Sequence, residues 1–399
     1  MASTCHIEQS ASAELLACIL EGAPWPDYLL RRALIEDEGR MLFSVVIERL
    51  GDLFEPALCD EYARLFSRVV ELLRPEWKAL DLVGRYERVR KVRPCKHKDV
   101  KTVFVLSRVT LGADVAVTSV IMDSVKRRFP QSSIRFVGPR KNFELFAEDP
   151  RILHMPFSYP RSGSLVDRLK QWGEFFAPDS IVVDPDSRLT QLGILPVCDE
   201  KDYFFFESRC YYSSSNEPLP KLASRWAWEV FNEPGRAWIA PEQQTMPAEV
   251  AVSLGVGENA DKRLEDPFEE DLLRALIGRG FSVIVDEGGG GEEAERVRAL
   301  QQKIPELQIW TGSFAGFASL IAQAQLYVGY DSAGQHIAAA RGVPLVSIFA
   351  GFPTDRMFER WQPWGPGPRQ IVKVEQRDSA IVLNQAIEAV DALMGRRNA

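Results

Sequence analysis

The first quarter of the chain has the spacing of amphipathic helices. Apolar residues recur every three or four positions in SAELLACILEG, DYLLRRALIEDEGRMLFSVVIERLGDLF and CDEYARLFSRVVELLRPEWKALDLVGRYERVR. This recurrence places the apolar side chains on one face of a helix. Strand-like alternation is nearly missing here. We therefore predict a helical extension over residues 1–98, which ends in the basic run RVRKVRPCKHKDVK.

After this region, short apolar runs alternate with amphipathic stretches. The first group of such runs comprises TVFVLSR, SIRFVGP, SIVVDPDS and DYFFFESR. The second group comprises EVAVSLGV, FSVIVDEGGG, LQIWTGS, LYVGYDS, PLVSIFA and IVKVE. Strands that alternate with helices are typical of parallel sheets covered by helices on both faces. The fold class is therefore α/β.

The alternation pauses at the turn-rich stretch NEPGRAWIAPEQQTMP and then restarts. We interpret it as two Rossmann-like, doubly wound domains, residues 99–240 and 241–375, followed by a C-terminal helix over residues 376–399. Ligands of such sheets bind at the carboxyl ends of the strands. The two domains are therefore expected to face each other across a ligand-binding cleft.

Composition and charge narrow the class of protein. Of the 399 residues, 46% are hydrophobic and 26% are charged, as in ordinary globular domains, and the formal net charge of −8 argues against a nucleic-acid partner. The six cysteines form no CxxC pair and there are only four histidines, so the spacing gives no zinc motif. The start, MASTCHIEQS, lacks the pattern of a signal peptide, and no apolar run has the length of a membrane span. We expect a cytoplasmic protein, with a location at the inner face of the cytoplasmic membrane left open.

The stretch YVGYDSAGQHIAAARGVPLVSIFAG carries the strongest functional signal. It has the pattern of a strand, a small-residue turn, an alanine-rich helix and a second strand. The turn contains Asp331, Ser332, Ala333 and Gly334, and His336 follows in the first turn of the helix. Free backbone N–H groups and the positive end of the helix dipole favour anions at such a position. This turn is therefore predicted to bind a diphosphate, with His336 as a further candidate.

This stretch, followed by RWQPWGPGPRQIVKV, resembles the C-terminal signature of glycosyltransferase family 9, the bacterial ADP-heptose:lipopolysaccharide heptosyltransferases and their relatives. The family has glycine where this chain has Ala333, and here Gly334 stands one place later. The resemblance implies a GT-B fold and an inverting, metal-independent transfer from a nucleotide-sugar donor. It covers roughly residues 100–395 and leaves out the helical extension.

The segment SRVTLGADVAVTSVIMDSVKRRFP resembles the first loop of the same family. Arg108 and Asp114 keep the family spacing, whereas Gly112 is displaced by one position and Ala113 takes the usual glycine place. The resemblance implies that Asp114 is the catalytic residue, a general base that takes the proton of the acceptor hydroxyl. A helix cap is the structural alternative for Asp114. Arg108 is expected on the acceptor side of the cleft.

Two further aspartates, Asp184 and Asp186 in VVDPDSRLTQLG, are the backup bases; the alternative is that they only fix a turn at the end of a strand. Their D-x-D spacing is that of metal-binding transferases, but the resembled family works without metal, so we predict no metal at this site.

In the second domain, the resemblance implies a lysine near the phosphates and an acid near the ribose. Lys262, in LGVGENADKRLED, is the nearest match to the lysine and would offset the charge of the leaving group. The segment DEGGGGEEAERV offers Glu292, Glu293 and Glu295, among which the sequence does not choose. For His336, a hydrogen bond to the diphosphate and a purely structural role are both open.

These observations predict an inverting, metal-independent glycosyltransferase that moves a sugar, by resemblance heptose from ADP-heptose, to a hydroxyl of a glycan, lipopolysaccharide or protein. The donor is a substrate, and no cofactor is expected. One alternative is a nucleotide-sugar 2-epimerase, and another is a non-catalytic scaffold that retains a donor pocket. Peripheral membrane contact and a homo-oligomer built through the helical extension are open partners. The donor base, the sugar and the acceptor are not fixed by the sequence.

Overall fold

The computed structural model describes most of the chain, namely residues 10–159, 163–170, 177–246, 248–257 and 259–395. Cys5 and the rest of the first nine residues, on which the targeting prediction rests, lie outside the described residues. Within the described part, no helix has both the length and the apolar character that a membrane crossing requires.

The N-terminal region is helical, as the spacing of its apolar residues predicts. Its helices are α1 (Ala11–Leu20), α2 (Asp27–Ile35), α3 (Glu48–Asp52), α4 (Pro56–Leu73) and α5 (Ala79–Val89), with a 3₁₀ turn at Glu36–Gly39 and a π-helical stretch at Leu42–Ile47. The Ser10 hydroxyl caps α1 by accepting from the Ala13 amide. Pro56 begins α4, where its missing N–H costs no helical hydrogen bond.

The first sheet is parallel and has the strand order β3-β2-β1-β4-β5. Its strands are β1 (Thr102–Leu106), β2 (Ser133–Gly138), β3 (Ile152–Pro156), β4 (Ser180–Asp184) and β5 (Tyr203–Phe205). The sequence analysis missed β3, because this edge strand contains a histidine, ends at a proline and buries only Ile152 completely. The other four strands confirm the predicted pattern.

Helices from two parts of the chain cover this sheet. The elements between its strands are α6 (Leu111–Ala113), a π-helical stretch (Asp114–Thr118), α7 (Ser119–Arg128), α8 (Arg140–Phe143), α9 (Leu165–Lys170) and the 3₁₀ turns Glu144–Phe146, Arg188–Thr190 and Glu200–Asp202, and α10 (Leu219–Phe231) follows the last strand. Val103 and Val105 of β1 belong to the buried cluster that contains α7 and α10. Phe104 and Leu106 belong instead to the cluster formed by the N-terminal helices. The helical extension thus supplies a layer of the first sheet.

The second sheet is also parallel, with the order β11-β10-β9-β6-β7-β8. Its strands are β6 (Val250–Ser253), β7 (Val283–Asp286), β8 (Gln308–Trp310), β9 (Leu326–Tyr330), β10 (Leu345–Phe349) and β11 (Arg369–Lys373). Its helices are α11 (Phe268–Gly278), α12 (Gly291–Lys303), α13 (Phe314–Ile321), α14 (Ala333–Arg341), α15 (Asp355–Arg360) and α16 (Ser379–Met394), with a 3₁₀ turn at Ala260–Lys262. The strand order reverses between β6 and β9, which is the usual ligand position in such sheets.

The loops at the carboxyl ends of the two sheets meet. A methyl group placed on Gly112, in the loop after β1, would lie 3.2 Å from Cα of Ala333 and 3.3 Å from Cδ2 of His336. Thr354, at the start of α15, donates a hydrogen bond to the Leu53 carbonyl of the helical extension. The donor turn predicted from the sequence therefore lies where three parts of the chain come together.

Candidate functional site

The site is built around an ion pair at the point where the strand order of the second sheet reverses. Lys262 comes from the loop after β6 and Asp331 directly follows β9. The Lys262 ammonium lies 2.7 Å from Asp331 Oδ2 and donates a second hydrogen bond, 3.1 Å long, to the Asp331 carbonyl. Their side chains are only 16% and 6% exposed. The structure thus joins two residues that the sequence analysis placed together by resemblance.

Gln335 occupies the second oxygen of Asp331. Its side-chain amide donates to Asp331 Oδ1, and its carbonyl oxygen accepts from the Ser347 hydroxyl on β10. Gln335 is completely buried. The sequence analysis did not single it out, although it lies in the first turn of α14, only four residues after Asp331.

The turn before α14 is tightly packed. A methyl group at Gly334 would overlap the hydroxyl of Tyr327, a buried residue of β9. Ser332 occupies the N-cap position, but its hydroxyl forms no capping hydrogen bond and lies 3.5 Å from the Tyr327 hydroxyl. Ala333 begins the helix. The Tyr327 side chain therefore fixes the backbone of this turn. The Ser332 hydroxyl does not cap the helix, so the first amides of α14 have no side-chain cap.

His336 lies beneath the meeting point of the two sheets. It is 4% exposed, and its Nδ1 has no hydrogen-bond partner within the described residues. The centroid of the Trp361 ring lies 6.0 Å from the centroid of the imidazole. Burial lowers the pKa of His336 to about 4, with Lys262 acting in the same direction and Asp331 opposing it. The imidazole is therefore neutral at neutral pH and keeps one buried ring nitrogen unsatisfied.

The structure distinguishes among the three glutamates after β7. Methyl groups at Gly255 and Gly288 would both overlap the Glu293 side chain, so this carboxylate lies between the loops that follow β6 and β7. Glu292 and Glu295 are exposed. Of the three candidates, only Glu293 reaches the carboxyl edge of the sheet.

Asp286, the last residue of β7, escaped the sequence analysis. Burial raises its pKa to about 7, and the nearby Glu293 charge adds to this shift, whereas a hydrogen bond from the Gly288 amide opposes it. A carboxyl group at a strand end beside a glycine-rich turn is the signal that could have identified it.

Asp114 is completely buried and accepts four hydrogen bonds. The Arg108 amide and the Thr118 hydroxyl donate to Oδ1 over 2.8 and 2.7 Å, while the Ser107 hydroxyl and the Asn142 side-chain amide donate to Oδ2, each over 2.6 Å. Burial raises the pKa of Asp114, although the four hydrogen bonds oppose the shift.

The capping alternative for Asp114 is wrong, because Thr110 occupies the N-cap of this helix. The carboxylate instead ties the loop after β1 to α8. Its role as a general base stays a prediction.

The two backup bases are also buried within the first sheet. Asp184 accepts from the Tyr203 hydroxyl at 2.5 Å and from the Ser187 amide at 2.6 Å. Burial raises its pKa to about 6. Asp186 forms a two-pronged ion pair with the buried Arg209 guanidinium, over 3.1 and 3.2 Å. Both aspartates have protein partners that hold the turn after β4.

Arg108 points into the interior of the first half. Its guanidinium donates to the Pro185 carbonyl and, over 2.8 Å, to the Ser208 hydroxyl. It also lies 5.8 Å from the centroid of the Trp361 ring. Arg108 therefore connects the turn after β4 to the tryptophan that packs beside His336, and its side chain is 9% exposed.

Comparisons with known proteins show which family part of this chain resembles. Residues 242–386 match the model of glycosyltransferase family 9 (heptosyltransferase). Lipopolysaccharide heptosyltransferase 3 of Escherichia coli is 33% identical over 141 residues, which are 31% of this chain and 40% of that protein. The chain thus matches less than half the length of this curated relative.

Solved structures extend the likeness of fold beyond this region. E. coli ADP-heptose LPS heptosyltransferase II has a TM-score of 0.52 at 14% identity, and the match covers 75% of this chain and all of that one. E. coli heptosyltransferase WaaC with ADP has a TM-score of 0.54 at 14% identity, covering 73% and 99%. Residues 242–386 therefore resemble glycosyltransferase family 9 in sequence, and the chain has a two-sheet, GT-B-like fold similar to that of the heptosyltransferase structures, together with an N-terminal helical region.

Proposed function

We propose that this protein is an inverting, metal-independent glycosyltransferase. Its donor is a nucleoside diphosphate sugar, by resemblance ADP-heptose, and its acceptor is a hydroxyl of a glycan, lipopolysaccharide or protein. The observation that carries the proposal is the Lys262–Asp331 pair at the strand-order reversal of a sheet whose sequence matches family 9.

The charges at this point suit a departing diphosphate. Lys262 supplies a fixed cation, and the N-terminus of α14 adds the partial positive charge of its free amides. A leaving group that gains negative charge is stabilised by such fixed groups without a metal ion. The orphaned Nδ1 of His336, buried beside this pair, offers a further hydrogen bond.

Glu293 is the residue that we assign to the ribose. Its carboxylate lies between the loops after β6 and β7. A carboxylate can accept hydrogen bonds from two neighbouring hydroxyl groups.

For the acceptor, we assign the general base to Asp114. In an inverting transfer the acceptor oxygen loses its proton while it bonds to the anomeric carbon, and the bond from that carbon to the diphosphate breaks. The loop that carries Asp114 touches the donor turn through Gly112. The pKa of Asp114 is raised, which makes the carboxylate a stronger base. To act, the carboxylate exchanges one of its four present donors for the acceptor hydroxyl.

The test compares two buried carboxylates of the first half, one in the segment after β1 and one at the end of β4. Asp114→Asn should lower kcat by about 100-fold or more while the dissociation constant of ADP stays unchanged. Asp184→Asn tests the backup base in the same assay and should retain turnover per folded molecule, because its carboxylate accepts hydrogen bonds from Tyr203 and Ser187 at the turn after β4. Turnover of ADP-heptose is followed with lipopolysaccharide core as acceptor. Wild-type turnover in Asp114→Asn would exclude Asp114 as the base.

The non-catalytic scaffold is supported by one observation. All three candidate bases, Asp114, Asp184 and Asp186, are at most 1% exposed and already hydrogen bonded. A protein that binds the donor without transferring or hydrolysing it would have this arrangement. Donor binding at normal affinity with no turnover on any of the three acceptor classes would favour the scaffold over the enzyme.

A further inference from the structure

A cluster of metal-ligating side chains lies outside the donor site. Cys59 comes from α4, whereas Glu207 and Cys210 follow β5. One ligand atom from each residue, two thiol sulfurs and a carboxylate oxygen, lies within 4.8 Å of the other two. Cys59 and Glu207 are buried and Cys210 is half-buried. The cluster joins the N-terminal helices to the first sheet.

Two hydrogen bonds orient the Glu207 carboxylate of this cluster. Its two oxygens accept hydrogen bonds from the Tyr86 hydroxyl and from Arg90 Nε, the second over 2.9 Å. Each carboxylate oxygen has two lone pairs, so both bonds leave room for a metal ion. Ligands of protein metal sites are commonly oriented by such outer hydrogen bonds. These two hydrogen bonds therefore orient Glu207 and leave lone pairs on its oxygens for a metal ion.

The nearby cations do not exclude a metal. Arg90 also pairs with Asp60, and Arg209 pairs with Asp186, so each guanidinium has a carboxylate partner outside the cluster. Two thiolates and one carboxylate carry three negative charges, one more than a divalent cation neutralises. Arg90, which also donates a hydrogen bond to Glu207, lies beside the remaining negative charge.

A cleft gives access to the cluster. Its volume is about 460 Å³, and Glu207 and Cys210 form part of its wall together with Arg90, Tyr211 and Trp226. A metal ion can enter by this path, and a water molecule can complete a fourth position on the open side.

We propose that Cys59, Glu207 and Cys210 form a binding site for a thiophilic divalent cation, with Zn²⁺ as the best fit. Zinc takes cysteine sulfur at about 2.3 Å and carboxylate oxygen at about 2.0–2.2 Å in tetrahedral sites. The ligand atoms around such an ion lie roughly 3.5–4 Å apart, so the cluster closes on the ion by a shift of about 1 Å. The site is structural and separate from the metal-independent donor chemistry.

Such an ion would bear on the contact between the two halves. The segment after Cys210 offers the carbonyl groups of Tyr211, Tyr212 and Ser215 to the buried Arg360 of α15. Helix α4 begins two residues after Phe54, whose ring packs edge-on against Trp361. A metal that ties Cys59 to Cys210 would therefore fix both chain segments that hold the second half.

The test titrates Co²⁺ into the full-length protein after chelator treatment. Tetrahedral thiolate ligation predicts a sulfur-to-cobalt charge-transfer band and strong visible bands that saturate at one equivalent and disappear when Zn²⁺ is added. Cys59→Ser and Cys210→Ser should each lose the charge-transfer intensity, and Glu207→Gln should weaken binding. Cys198→Ser, which alters a half-buried cysteine outside the cluster, is the matched control and should behave as the wild type.

A second measurement needs no variant and so does not depend on folding of a mutant. Bound Zn²⁺ should protect the half-buried Cys210, but not the half-buried Cys18, from alkylation as read by peptide mass spectrometry. The proposal is overturned by three results: no cobalt bands in the wild type, bands that survive in Cys210→Ser, or a Cys59–Cys210 disulfide that Zn²⁺ and reductant do not replace with the bound ion.

Discussion

At the residue scale, the candidate site depends on how one buried carboxylate is satisfied. Asp331 has Lys262 on one oxygen and Gln335 on the other. A buried charge is tolerated only when it is paired and hydrogen bonded. Lys262 reaches this position because the 3₁₀ turn that carries it is capped by the Asn259 side chain. The ion pair therefore fixes the two loops at the strand-order reversal relative to each other.

The sequence identified both residues of this ion pair but not Gln335, which hydrogen bonds to Asp331. Asp331 and Lys262 stand in motifs, whereas Gln335 occupies a position that has no chemical signature of its own. The choice of Glu293 over Glu292 and Glu295 required the structure, because three acids at one helix start differ only in the direction of their side chains.

The lowered pKa of His336 allows its burial to be tested through the pH dependence of stability. Its pKa is about 4 in the folded protein against about 6.5 in an unfolded chain. As the pH falls, the unfolded chain is protonated first, so the stabilising contribution is complete above pH 6.5 and is lost as the pH falls to about 4. The difference in free energy of unfolding between wild type and His336→Asn should therefore change by about 3 kcal/mol over this range.

Urea denaturation of both proteins at pH 7.5, 6 and 5 should show about 2 kcal/mol of this change, because the rest falls between pH 5 and 4. The raised pKa values of Asp184 and Asp286 change stability with pH in the opposite direction. Both groups are present in the wild type and the variant, so their contributions cancel in the difference. A difference that does not vary with pH would show that His336 is solvated in the folded protein.

At the scale of elements, the donor turn is held between β9 beneath it and the segment after α15 beside it. A methyl group at Gly365 would overlap the carbonyl of Ala339 on α14, so this segment lies directly on the helix backbone. The strand pattern predicted these elements well, because buried parallel strands are continuous apolar runs. It missed β3, an edge strand in which Leu153 and Pro156 are exposed and only Ile152 is buried.

Gly365→Ala tests this contact between elements. The added methyl group must push the segment away from α14, and overpacking of this kind costs about 1–3 kcal/mol of unfolding free energy. Gly278→Ala at the end of α11 is the matched control, because a methyl group there meets nothing within 4 Å. It should leave stability unchanged or raise it by about 1 kcal/mol. Equal stability of the two variants in chemical denaturation would contradict the packing described here.

At the scale of the whole molecule, the helical extension is part of the first half. Its apolar residues share one buried cluster with Phe104 and Leu106 of β1, Val182 of β4 and Phe205 of β5. The sequence predicted the helices but not this packing, since the apolar face of a helix does not specify its partner. The cysteine cluster escaped for a similar reason, because Cys59 and Cys210 are distant in sequence and only the fold brings them together.

Removal of residues 1–89 tests this shared core. The deletion uncovers the face of the first sheet that Phe104, Leu106 and Val182 help to form. We expect the shortened chain to aggregate, to bind a hydrophobic dye and to lose the cooperative unfolding transition of the full-length protein, because an apolar patch of this kind is a docking or aggregation surface. A soluble shortened chain with an unchanged melting transition would show that the extension is a separate unit.

The most direct test of the central claim is a calorimetric titration of the full-length protein with ADP, GDP and UDP, with and without Mg²⁺. We predict that ADP binds with a dissociation constant that Mg²⁺ does not change. Lys262→Met should weaken binding by about tenfold or more, equivalent to at least about 1.4 kcal/mol, whereas Lys303→Met, which removes an exposed lysine of α12, should bind as the wild type does. No binding of any nucleotide, or equal affinity in Lys262→Met and wild type, would contradict the site described here.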